Sequence, residues 1–290
     1  MPAFVPIVTA LFLVAVGWNH SATMTMTSHV VVKRPKILLL GDSLTQLSWN
    51  GWGAALADVY QRRADVVNRG MSGYNTDWYL RYATSEASDV WTQGPQVTLI
   101  TIFFGANDAS DPILNPRHYV PLHKFSQNLE ALISLCSQHY PTAKIVILSA
   151  PPVVHAQRLE YQRIRYGDQA TGELERTLEG AERYAAAAMD VAEAHSLLGI
   201  HLWSLMQQSP GWETYFNDGL HFSKEGNDMV AKCILQHLAK RYPSVTVTPC
   251  PLTGQWANSA TVCPDLLPDG PYHDDIHHEN PNMAFESTSK

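Results

Sequence analysis

From Lys36 onward the chain repeats one pattern: a short unbroken apolar run, a turn of glycine or small polar residues, then a stretch with helical spacing. The runs are Ile37 to Leu40, Val66 to Val67, Val97 to Phe104, Ile145 to Leu148 and a weaker one at Ile200 to Trp203. Consecutive apolar residues suit a strand buried on both faces, and parallel sheets provide that because crossover helices cover them on either side. Right-handed crossovers leave few arrangements for five such strands. The pattern predicts an α/β domain of three layers, α/β/α, on a five-stranded parallel sheet within residues 33 to 242.

Between the runs, Phe125, Leu129, Leu132, Ile133 and Cys136 recur at helical spacing, and Tyr140-Pro141 ends that helix. Residues 178 to 198 are rich in Ala and Glu and read as a helix lying on the sheet. Ser223 is an N-cap candidate for a last helix that carries Met229, Val230, Cys233, Ile234 and Leu238 on one face and stops before Pro243. Cys136 and Cys233 fall on these apolar faces and read as inert core thiols. Residues 155 to 177 are charged, rich in Arg and Gln, and lack a clean period. Such a segment after a strand end either covers a substrate or lies in solvent, and the pattern leaves both open.

The two ends differ from this middle. Residues 3 to 18 form an apolar run with Ala15 and Gly17 spaced like a small-x-small cleavage site, although no basic residue precedes it and Pro6 interrupts it. As a helix it would reach about 24 Å, short of the roughly 30 Å hydrocarbon core of a bilayer. Residues 1 to 32 are therefore read as an apolar leader, a possible signal peptide, with its linker. A secreted or secretory-pathway location is favoured over the cytoplasmic alternative, and no stable membrane insertion of the domain itself is expected. After Tyr242, seven of the chain's 18 prolines and six acidic residues against one lysine mark residues 243 to 290 as a Pro-rich acidic extension with little core of its own. Cys250 and Cys263 flank a loop there and can pair in an oxidising compartment. The run His273 to Glu279 reads as a solvated tail rather than a metal site, since no predicted element holds its side chains. A net charge of -7 with no cluster or stripe of Lys and Arg offers no nucleic-acid surface.

The first apolar run stops at Gly41-Asp42-Ser43, so Ser43 lies just past the carboxyl end of a strand, where open α/β sheets gather their ligands. A serine hydroxyl is a poor nucleophile at neutral pH and needs a base, with a third group to fix the base's tautomer. Asp218-Gly219-Leu220-His221 supplies both within four residues, just before the last helix. An attacked carbonyl also needs donors aimed at the developing oxyanion. Gly73, in the turn after the second run, lets a backbone N-H come close, and Asn107 after the third run offers a side-chain amide.

Taken together, Gly41-Asp-Ser-Leu44, Gly73, Gly105-x-Asn107-Asp108 and Asp218-x-x-His221 resemble the four sequence blocks of the SGNH hydrolases, the GDSL lipases/esterases. The likeness covers roughly residues 36 to 240. Gly41 to Gln46, Asn68 to Thr76, Phe103 to Asp108 and Asp218 to Phe222 with Glu225-Gly-Asn227 are similar to the isoamyl acetate-hydrolysing esterase branch. The resemblance implies a flavodoxin-like sheet, Ser43 as nucleophile, His221 as base and Asp218 as its orienter. It also implies an oxyanion hole of the Ser43 and Gly73 backbone N-H groups and the Asn107 amide, with no cofactor and no metal. Asp77 and His201 depart from that branch, which usually has a basic residue at the first position and an acid at the second.

The expected activity is hydrolysis of short-chain, acetate-type esters through an acyl-enzyme, with a small-molecule ester as substrate. Alternatives on the same fold are a carbohydrate deacetylase and a lysophospholipase or thioesterase. From another class comes a catalytically silent flavodoxin-like binding module. The absence of a G-x-S-x-G elbow argues against the α/β-hydrolase fold.

Overall fold

Five strands hydrogen-bond in parallel in the order β2-β1-β3-β4-β5. They are β1 (Lys36–Gly41), β2 (Asp65–Gly70), β3 (Val97–Phe103), β4 (Lys144–Leu148) and β5 (Leu198–Ile200). The computed structural model describes residues 34–93 and 96–247. The leader, Cys250, Cys263 and the His273 to Glu279 run lie outside the described residues.

The alternation of side chains along each strand divides the core in two. Ile37, Leu39, Leu99, Val146 and Leu148 face one layer, where helices α2 (Trp52–Val59) and α8 (Lys224–Arg241) bring Leu56, Val230, Ile234 and Leu238. Leu38, Leu40, Ile100, Ile102, Ile145 and Ile147 face the other, against α3 (Thr76–Ala83), α4 (Leu122–His139) and α6 (Leu178–Ala194). Both faces of the central strands are covered, which is why they read as unbroken apolar runs. Three further helices complete the set: α1 (Ser43–Gln46), α5 (His155–Tyr166) and α7 (Leu202–Gln207). Among the described residues no helix is long and apolar enough to cross a membrane.

Ser223 caps α8 as expected, its hydroxyl accepting from the Gly226 N-H at 3.2 Å. Cys136 and Cys233 are buried free thiols, and burial pushes Cys136 up to about 12. Three boundaries differ from the expectation. β5 ends at Ile200, and Leu202 and Trp203 open α7 because His201 caps it, its Nδ1 accepting from the Ser204 N-H at 3.2 Å. An imidazole thus does there what an acid would do. The helix expected over residues 178 to 198 stops at Ala194, and Ser196 turns the chain with φ +54°. Residues 155 to 177 contain α5, a 12-residue helix whose buried residues are Arg158 and Gln162, so no apolar period marks it. Beyond Tyr242 the described chain stays on the domain: Val245 and Val247 are buried, and the Tyr60 hydroxyl donates to the Val245 carbonyl at 2.7 Å.

Candidate active site

The sheet order reverses direction between β1 and β3, and a crevice opens at the carboxyl ends of these strands. Ser43 is the first residue of α1, directly after β1. Its neighbour Asp42 caps that helix, Oδ1 accepting the Leu44 N-H at 2.9 Å, so the strand-to-helix turn is held from within. Full burial pushes the Asp42 carboxyl up to about 7, the Leu44 N-H opposing.

Ser43 Oγ lies 2.9 Å from His221 Nε2, and His221 Nδ1 lies 2.8 Å from Asp218 Oδ2. With Nδ1-H donating to a carboxylate, Nε2 is left as the acceptor toward the serine hydroxyl. The other Asp218 oxygen accepts the backbone N-H groups of Leu220 at 3.0 Å and His221 at 2.7 Å, which closes Asp218 to His221 into one rigid turn. Gly219 within it has φ +79°, and a Cβ there would stand 2.5 Å from the Val154 carbonyl. Burial works to raise the Asp218 carboxyl, but the hydrogen bond from His221, the charge of that ring and the two backbone N-H groups outweigh it, to about 2.

The end of β2 and the turn after it are tied to the residues flanking Ser43 by three bonds. Met71 N-H donates to the Gly41 carbonyl at 2.9 Å, Ser72 N-H to Gln46 Oε1 at 2.7 Å, and Asn68 Nδ2 to the Thr45 carbonyl at 2.7 Å. They bring Gly73, with φ +78°, to the wall of the cavity that holds Ser43. Asn107, four residues past β3, reaches the same wall. Its Nδ2 donates to the Tyr74 carbonyl at 2.9 Å and stands 3.5 Å from Asp42 Oδ2. All five residues picked out from the sequence thus meet in one place. The two departures stand apart: Asp77 accepts from Asn128 at 2.8 Å, and His201 is the α7 cap.

The cavity beside Ser43 has a volume of about 410 Å³, with Asn115, His118, Arg158, Tyr161, Tyr166 and Arg176 among its lining residues. A second hollow of about 290 Å³, with Leu44, Leu47 and Phe222, meets it at Ser43 and His221. An apolar hollow of about 540 Å³ between α2 and α8 contains none of these groups. No group of three or more metal-ligating side chains occurs among the described residues.

Sequence reasoning missed Arg158, Glu175 and Arg176, all buried. Arg176 Nη2 donates to Asn107 Oδ1 at 3.0 Å, its Nε to the Ala106 carbonyl at 2.9 Å and its Nη1 to Glu175 Oε1 at 2.6 Å. Arg158 donates to the same Glu175 oxygen, and its Nη1 lies 3.7 Å from Asp218 Oδ2. Burial works to raise Glu175, but the two arginines hold it below the ordinary carboxylate range. The available signal was position: a charged segment following a strand end, where the other strand ends carry the chemistry.

Residues 39–229 match the GDSL-like lipase/acylhydrolase family. A GDSL esterase/lipase of Arabidopsis thaliana is 36% identical over 258 residues, covering 87% of this chain and 98% of its own. An isoamyl acetate-hydrolyzing esterase 1 homolog of Bos taurus is 35% identical over 245 residues, covering 81% of this chain and 93% of its own. Among solved structures, a lipase/acylhydrolase from Enterococcus faecalis aligns with a TM-score of 0.52 at 25% identity, over 71% of this chain and 96% of that one. Agreement that runs through nearly the whole length of these relatives makes this chain a carboxylic ester hydrolase, a member of the GDSL-like lipase/acylhydrolase family.

Proposed function

We propose that the protein hydrolyses short-chain, acetate-type esters through a Ser43-His221-Asp218 triad and an acyl-enzyme. The observation that carries this reading is the line from Ser43 Oγ through His221 to Asp218, at 2.9 and 2.8 Å, opening on a cavity that Gly73 and Asn107 also line. Ser43 Oγ attacks the acyl carbon as its proton passes to His221 Nε2. The oxyanion is received by the backbone N-H groups of Ser43 and Gly73 and by Asn107 Nδ2. His221 then returns the proton to the departing alcohol, leaving the acyl group on Ser43. Water, deprotonated by the same nitrogen, attacks that ester and releases the acid and the free serine.

The polar side chains in the lining support a small acyl group, because a long alkyl chain would have to lie against guanidinium, imidazole and phenol groups at a cost in desolvation. The bovine relative's name, which carries isoamyl acetate, agrees with that size. A second reading, acetyl groups on a polyhydroxylated alcohol such as a carbohydrate, draws support from Asn115, His118, Tyr161 and Tyr166, which supply hydroxyl-binding groups around the cavity. Fluorophosphonate labelling tests the nucleophile: the probe should modify Ser43 in the wild type and nothing in Ser43→Ala, and labelling elsewhere overturns the assignment. Turnover of isoamyl acetate, a long-chain ester and a sugar acetate, compared side by side, decides the substrate. Preference for the long-chain ester would refute both readings.

A further inference from the structure

Four charges form one chain behind the site, two of each sign: Arg176, Glu175 and Arg158, all buried, and the half-buried Asp218. One end touches Asn107 and the other is the carboxylate that holds His221. We propose that Arg176 and Arg158, bridged by Glu175, are positioning residues that set the two ends of the catalytic machinery together, Arg176 through the Asn107 amide and Arg158 through the Asp218 carboxylate. The inference rests on the roles proposed above for Asn107 and Asp218.

An asparagine amide is nearly symmetric in shape, and turning it over would replace its N-H donors by an oxygen facing the oxyanion. Arg176 removes that freedom. Its Nη2 donates to Asn107 Oδ1 at 3.0 Å, which leaves Nδ2 on the side of Tyr74 and the cavity. The guanidinium is itself fixed by the Ala106 carbonyl at 2.9 Å and by Glu175 at 2.6 Å. A cation on the amide oxygen also polarises the N-H bonds, making Asn107 a stronger donor as negative charge develops.

Arg158 acts differently. Its Nη1 is buried without a hydrogen-bond partner and stands 3.7 Å from Asp218 Oδ2, close enough for charge but not for a hydrogen bond. Its guanidinium is stacked over the Tyr161 ring at 4.4 Å and tied to Glu175, so it cannot swing closer without losing both. Glu175 is saturated on its other oxygen by Asn115 at 3.1 Å and the Tyr166 hydroxyl at 3.3 Å. The charged groups around His221 are Asp218 on its own turn, Asp42 beside the serine, Arg158 and Arg165 on α5, Glu175 and Arg176 before α6, and Lys224 on α8. Of the cations, Arg158 is the one paired with the carboxylate that faces the imidazole. Stability alone does not call for this arrangement, since well-packed apolar residues replace buried ion clusters at little cost.

The test is a set of double-mutant cycles on the full chain, with p-nitrophenyl acetate as substrate and a thermal melt on each variant. Arg176→Lys keeps the charge beside Glu175 but cannot hold Asn107 and Ala106 at once. It should lower kcat at least tenfold with KM within about twofold, and should add less than twofold to the loss caused by Asn107→Ala. Arg158→Gln should move the acid limb of kcat/KM to higher pH, because the unopposed Asp218 carboxylate favours the imidazolium, and should not move it in an Asp218→Asn background. Where a single variant does not fold, the charge-balanced pair with Glu175→Gln takes its place in the same cycle. Losses at Arg176 and Asn107 that multiply, or an acid limb indifferent to Arg158, overturn the proposal while leaving the triad intact. A wild-type kcat in Asn107→Ala refutes the oxyanion role itself, and the Arg176 part of the proposal falls with it.

Discussion

Ser43 and His221 stand 178 positions apart in the chain, and Ser43 Oγ lies 2.9 Å from His221 Nε2. No other hydrogen bond of the Ser43 hydroxyl supports the fold among the described residues. Ser43→Ala should therefore lower ester hydrolysis by several orders of magnitude while shifting stability by no more than about 0.5 kcal/mol. Residual catalysis of about 1000-fold over water remains expected from the oxyanion donors. Steady-state kinetics beside a thermal melt checks both halves; most of the activity surviving would remove Ser43 from the mechanism.

The carboxyl of Asp218 lies at about 2, so it is ionised wherever the enzyme works, and its charge favours a protonated His221. Asp218→Asn removes that charge but keeps the shape. The acid limb of kcat/KM should move to lower pH and turnover should fall, by about 10⁴ where such an orienter is lost outright. A limb that stays in place would show that Asp218 does not face the titrating base.

Gly73 has φ +78°, and a Cβ built on it meets nothing closer than His118 Nε2 at 3.9 Å. Space in the free protein is not what requires glycine; the backbone angle is. Gly73→Ala should cost about 1 to 2 kcal/mol of stability from the left-handed conformation. It should also reduce kcat if the backbone N-H of Gly73, which lines the cavity, is the oxyanion donor proposed above. Denaturant melts and kinetics read the two effects separately, and an unchanged melt would show that the turn relaxes.

What could be read from the sequence, and what could not, follows the polarity of buried faces. β1 and β3 were legible because sheet neighbours and helices cover both sides, and every residue from Ile37 to Gly41 and from Val97 to Phe103 is buried. β5 was not cleanly legible: its three residues run straight into the apolar start of α7, and only the His201 cap separates the two. The five site residues were legible because each sits in a glycine or small-residue turn at a strand end or before a helix. Arg158, Glu175 and Arg176 were illegible because their segment buries a polar face, Arg158 and Gln162 one helical turn apart, which looks in sequence like a surface in water.

Asp42 titrates near pH 7 in the folded chain against an ordinary 3.8, and burial is the main cause. A carboxyl raised on folding contributes stability that is fully present below about pH 4 and is lost as pH rises through about 7. Asp108, raised to about 6 by burial against its Thr76 hydrogen bonds, acts in the same direction. Asp42→Asn keeps a helix cap and removes one of the two titrations. Its stability should decline less than that of the wild type between pH 4 and 7, by chemical denaturation at matched ionic strength. Parallel profiles for the two proteins would place the buried charge elsewhere.

The strand order carries a timetable as well as a crevice. β1, β2 and β3 are neighbours at one side of the sheet, so the serine, Gly73 and Asn107 can come together once the chain is synthesised to about residue 125. His221 arrives with the last hundred residues, after β5 has been laid on the far edge and α8 has docked beside α2, where Asn227 Oδ1 accepts the Trp52 N-H at 3.2 Å. A nascent chain at the halfway point would hold Ser43, Gly73 and Asn107 but neither His221 nor the Arg176 that bonds the Asn107 amide. Under the proposed triad, hydrolysis reports completion: turnover should appear only when the two ends of the domain have closed, and an activity trace during refolding becomes a clock for that final docking.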